Sequence, residues 1–69
     1  MVKIKVNDIL DKKNLSVYYL SKKTEISYNN LSKLIKGETR SISFEIIDKI
    51  CSALDCEVGD IIEYVPDEN

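Results

Sequence analysis

Histidine and tryptophan are absent from this sequence of 69 residues, and proline, methionine and phenylalanine occur once each. Without histidine the chain lacks the side chain that most often moves protons near neutral pH, and no carboxylate pair in an evident pocket replaces it. The two glycines, Gly37 and Gly59, are too few for a glycine-rich phosphate loop, and each suits a helix end or start. The expectation is that the protein is not an enzyme. Cysteine is scarce too. Cys51 and Cys56 can be read as a redox pair, as two metal ligands, or as two small apolar side chains. A tetrahedral zinc site lacks ligands here, and Cys51 continues an apolar helical spacing, so the third reading is preferred and no metal is expected.

No apolar run approaches the roughly 20 residues of a membrane span, and the start MVKIKVNDIL lacks a secretory apolar core of about 7–15 residues. A soluble, cytoplasmic protein with no membrane partner is expected. The length is that of one small domain, 1–69, near the lower range at which a single core suffices. Such a core leaves little room for a pocket of about 300 Å³, so neither a cofactor nor a small-molecule ligand is expected.

What is present is a two-helix pattern, SVYYLSKKTEISYNNLSKLIKG, from Ser16 to Gly37. Ser16 and Ser27 each precede a helical pattern, where a hydroxyl accepts a hydrogen bond from a backbone N–H of the first turn. Leu20, Ile26, Leu31, Leu34 and Ile35 are spaced to set one apolar face of each helix against the other. Gly37 closes the second helix in the left-handed conformation. Tyr28, Asn29, Asn30, Ser32, Lys33 and Lys36 are left facing outward, with no carboxylate among them. Asn can pair bidentately with adenine, Lys can donate to guanine, and hydroxyls reach bases or phosphates. The helix start at Ser27 adds a partial positive charge.

The net charge of −2 conceals an asymmetry. Residues 1–40 hold nine Lys/Arg and four Asp/Glu; residues 41–69 hold one Lys and eight Asp/Glu. The basic part contains the two-helix unit. The acidic part either orients that basic face toward DNA or merely keeps a small domain soluble.

Around the unit, Val2, Ile4 and Val6 alternate with lysines as in a half-exposed strand, and Ile62, Tyr64 and Val65 precede Pro66 as a second one. The two can pair antiparallel. Asn7 is expected to cap a helix carrying Ile9 and Leu10, with Lys12 and Lys13 in its last turn and Leu15 packed beneath. After Gly37 the loop ETRSIS leads to Ser43, which caps a further helix. There Phe44, Ile47, Cys51 and Leu54 form one stripe with Ile46 and Ile50 beside it, wider than one contact requires. Tyr18 and Tyr19, beside Lys22 and Lys23, can stack on single-stranded bases, but packing against the core is preferred.

The positions Ser16, Leu20, Ser21, Ile26, Ser27, Leu31, Ser32, Leu34 and Gly37 resemble the lambda-repressor/Cro-like helix-turn-helix family. The stretch SISFEIIDKICSALDCEVGDIIEYV is similar to that family's fourth helix and short fifth helix, so the likeness runs from about Asn7 to about Ile62. It implies a mainly α fold, a compact five-helix domain, here with a short antiparallel strand pair from the two termini as in some small members. The helix-turn-helix unit spans about 16–36 and its recognition helix about 27–36. Three positions depart from the family pattern: Val17 where Gln often braces a phosphate, Glu25 where the turn usually has Gly, and Ser21 where Ala is usual. The implied function is a sequence-specific regulator of transcription, a repressor, that binds double-stranded DNA at an operator as a homodimer. Tyr28, Asn29 and Lys33 then read bases, and Ser27, Asn30, Lys36, Thr39 and Arg40 contact phosphates. The alternative is a protein-interaction module, antitoxin-like or anti-repressor-like, using the acidic C-terminal half.

Overall fold

In the computed structural model, which describes residues 1–66, the chain runs β1 (Val2–Ile4), α1 (Val6–Lys13), α2 (Val17–Thr24), α3 (Tyr28–Ile35), α4 (Phe44–Leu54), α5 (Val58–Ile61) and β2 (Ile62–Tyr64). Three of the helix starts are set by serine. The hydroxyls of Ser16, Ser27 and Ser43 accept from the backbone N–H groups of Tyr19 at 3.0 Å, Asn30 at 3.2 Å and Ile46 at 3.1 Å. Each satisfies one of the N–H groups that a first turn leaves unpaired, typically worth about 1 kcal/mol. The fold is mainly helical with a two-stranded antiparallel sheet made by the two termini, as the sequence leads one to expect.

The start of α1 differs from expectation. Asn7 lies inside the helix, Lys5 occupies the cap without a side-chain bond, and Val6 opens the helix instead of ending the strand. Val6 is fully buried there, which contributes about 1.5–3 kcal/mol and outweighs an asparagine cap of about 1 kcal/mol. The Lys5 N–H, bonded to the Ile61 carbonyl at 2.7 Å, fixes where the strand gives way to the helix.

Val6, Leu10, Leu20, Leu31, Leu34, Ile50, Leu54 and Ile61 make one core drawn from all five helices. Helix α2 packs on both α3 and α4, and α1 packs on α5. On α4 the fully buried line is Ile50 and Leu54, with Ile46, Ile47 and Cys51 partly covered. Phe44, expected in the stripe, is 89% exposed, because the buried face of α4 is centred on Ile46, Ile50 and Leu54 and Phe44 stands about 120° round the helix from Ile50. Tyr18 and Tyr19 are likewise exposed rather than packed, and Ser32 is half-buried rather than outward.

Strands β1 and β2 pair with Val2 opposite Tyr64, Lys3 opposite Glu63 and Ile4 opposite Ile62. A further bond from the Val65 N–H to the Met1 carbonyl, 2.7 Å, extends the pairing to the chain start.

Candidate DNA-binding interface

The turn between α2 and α3 decides how α3 is presented. Glu25 takes the left-handed conformation there, with φ 63°, where a non-glycine residue costs about 1–2 kcal/mol. Three side-chain hydrogen bonds offset that cost. Thr24, 5% exposed, donates its hydroxyl proton to the Leu20 carbonyl at 2.7 Å and accepts from the Ile26 N–H at 3.2 Å. The Ser21 hydroxyl donates to the Ile26 carbonyl at 2.6 Å. Serine at this position therefore fastens the turn, a role that its small size alone does not reveal. Val17, the departure that removes a side-chain donor, packs against the core instead.

At its other end α3 closes in a Schellman motif. The Glu38 N–H bonds the Lys33 carbonyl at 2.9 Å, the Gly37 N–H bonds the Leu34 carbonyl at 3.1 Å, and Gly37 has φ 77°. Between capped start and closed end, Leu31 and Leu34 anchor α3 in the core while Tyr28, Asn29, Asn30, Lys33 and Lys36 are exposed. Ser27, Thr39 and Arg40 are exposed beside them. Ser27 places its hydroxyl on the Asn30 N–H, so its side chain is already committed to the cap.

The eight residues singled out from the sequence do not form one cluster. Asn30, Lys33 and Thr39 share an open cleft of about 270 Å³ between α3 and the loop that follows it. Lys36, Thr39 and Arg40 line a second, neighbouring groove of about 420 Å³. Thr39 is common to both, and among the described residues no carboxylate lines either. Tyr28 and Asn29 stand outside both, on the first turn of α3. A polar first turn beside two adjoining grooves that carry Lys33, Lys36 and Arg40 is chemically compatible with a duplex, whose base edges lie in a groove walled by phosphates.

One arrangement was missed from the sequence. The Lys22 ammonium lies 5.3 Å from the centroid of the Tyr18 ring, a cation–π contact on the exposed side of α2. Its signal was the four-residue spacing, which brings two helical side chains together.

The cysteines stand apart from this surface. Both are free thiols and half-buried. The Cys56 thiol is pushed up to about 11, chiefly by burial, then by charge repulsion from and a hydrogen bond with Cys51, and by Asp60, against an opposing pull from Lys13. It stays protonated at neutral pH and is a poor nucleophile. Among the described residues no group of three His, Cys, Asp or Glu is placed to hold a metal ion. No described helix is long and apolar enough to cross a membrane.

The model of the Cro/C1-type HTH DNA-binding domain matches residues 5–67. This chain belongs to that family. An HTH-type transcriptional regulator of Bacillus subtilis (strain 168), YozG, itself described as uncharacterized, is 39% identical over 66 residues, covering 96% of this chain and 79% of its own length. The family is one of DNA-binding regulators and not an enzyme class. DNA-binding transcription regulation is thus the function class of this protein, with double-stranded DNA its partner.

Proposed function

We propose that the chain, 1–69, acts as a single cytoplasmic DNA-binding domain that represses transcription by occupying an operator as a homodimer, with α3 in the major groove. The observation that carries this reading is the exposed, carboxylate-free face of α3, fixed by the Ser27 cap at one end and the Gly37 closure at the other. Tyr28, Asn29 and Lys33 are assigned to base edges. Lys36, Thr39 and Arg40 are assigned to phosphates on one flank, with Asn30 and Ser27 toward the helix start. Since the Ser27 side chain caps α3, its phosphate contact is made with the hydroxyl as a shared group or through the adjoining backbone N–H groups.

A homodimer is supported by what the acidic half leaves uncovered. Phe44 at 89%, Val58 at 52% and Tyr64 at 68% exposure are apolar side chains that a second copy of the chain would cover. One α3 reads only a few base pairs, whereas a two-fold pair reaches successive major grooves about 34 Å apart. Sedimentation at micromolar concentration is expected to give a species of twice the chain mass. A species of monomer mass alone, both free and on DNA, contradicts the dimer.

A further inference from the structure

The groove beside the end of α3 is built by two distant parts of the chain. One wall is Lys36 and the loop residues Thr39, Arg40 and Ser41; the other is β1, which brings Lys3 to the same rim. The floor is apolar and includes Ile4 and Ile42. Among the described residues, three cationic side chains and two hydroxyl side chains line this opening and no carboxylate does. Glu63, which pairs across the sheet with Lys3, does not line it.

We propose that Lys3 is a further phosphate-contacting residue, so that β1 forms the outer edge of the DNA-binding surface; this rests on the placement of α3 proposed above. The occupant is a backbone phosphate flanking the segment that α3 reads, since the groove continues the surface carrying Lys36, Thr39 and Arg40 and matches a phosphate in charge and in hydroxyl donors. The strand is held at both ends, by the Val65 N–H on the Met1 carbonyl and the Lys5 N–H on the Ile61 carbonyl. Lys3 therefore stands on a fixed backbone, and a phosphate contact orders only its side chain. Sheet formation by the two termini, which the sequence suggests as a way to stop fraying, then also serves DNA binding.

The test measures affinity for a duplex recovered by selection, between about 50 and 200 mM salt, for the wild type and for Lys3→Gln, Lys3→Arg, Lys12→Gln and Arg40→Ala. Lys12 lines a different groove with Asp8 and Asp60, so its loss changes net charge equally without touching this rim. Lys3→Gln is expected to make the logarithmic salt slope shallower by about 0.9, as one lost phosphate contact does, with Lys3→Arg and Lys12→Gln near wild type. An unchanged slope in Lys3→Gln beside a shallower one in Arg40→Ala overturns the role of Lys3 and leaves the α3 reading standing. Equal losses in Lys3→Gln and Lys12→Gln also overturn it, since the effect is then one of net charge. If Arg40→Ala and Lys3→Gln both match the wild type, the placement of α3 fails and this inference with it.

Discussion

The segment from Ser16 to Arg40 and the segment from Ser43 to Tyr64 solve different problems with similar parts. Both begin on serine-capped helices and both bury leucine and isoleucine in the same core. The first leaves tyrosines, amides and cations outside, whereas the second leaves Phe44, Val58, Tyr64 and a run of carboxylates. The α3 face, carboxylate-free although Glu25 and Glu38 are exposed elsewhere in its segment, suits a phosphate-walled partner, and exposed apolar groups amid carboxylates suit a protein partner better than DNA. The contrast teaches that outward-facing chemistry, rather than the shared core, distinguishes the segment proposed to meet DNA from the segment that follows it.

The strongest way to break the contrast is to remove what the two segments share. Leu31→Ala, at a position with no exposure, is expected to cost about 2–5 kcal/mol, close to the whole stability of so small a domain, and to unfold both segments together. Chemical denaturation followed by circular dichroism checks this; a loss below about 1 kcal/mol means the core has been misassigned. Next in size, Asn29→Ala should cost about 1–3 kcal/mol on a preferred site and relax discrimination at one position, read by titration against a panel of single-base variants. Equal loss on every sequence removes Asn29 from base reading.

Phe44→Ser sharpens the other side. With the ring 89% exposed, the substitution should leave the melting of the monomer nearly unchanged while weakening self-association about tenfold, equal to about 1.4 kcal/mol. Sedimentation that shows unaltered dimers moves the interface elsewhere. Arg40→Ala is a smaller change: uniform weakening on all sequences, with a salt slope shallower by about 1.

The last effect, confined to alkaline pH, concerns Cys56. Its folded value, about 11, lies above the ordinary 9.0, so an unfolded chain releases this proton first as pH rises. The resulting contribution to stability is fully present below about pH 9 and is lost between about pH 9 and 11. Subtracting the denaturation midpoints of Cys56→Ser from those of wild type isolates it; a difference that stays flat across that range contradicts the burial of the thiol.

Much of this was legible beforehand for physical reasons. Serine followed by a helical apolar spacing states a helix start locally, and Gly37 states an end, so the starts of α2, α3 and α4 and the end of α3 were readable. The start of α1 was not, because the Asn7 signal is local whereas the burial of Val6 depends on the rest of the core. Asn14 and Asp55, with φ 59° and 52°, end α1 and α4 in the left-handed conformation without glycine, a use of these side chains that composition alone does not announce. The exposure of Phe44, Tyr18 and Tyr19 was not legible because an aromatic at the edge of a helix face fits the spacing whether or not the core reaches round to it. On the interface, the residue types of α3 were readable, while the grooves joining Lys36 to Arg40, and Lys3 to both, needed the chain to be folded.

The most direct test of the central claim is selection of bound sequences from a random duplex library with the purified protein at about 100 mM salt, where non-specific binding is held down. The account predicts enrichment of an inverted repeat whose half-site centres lie about one helical turn, roughly 34 Å, apart. Weak, salt-sensitive binding with no enriched sequence would contradict it.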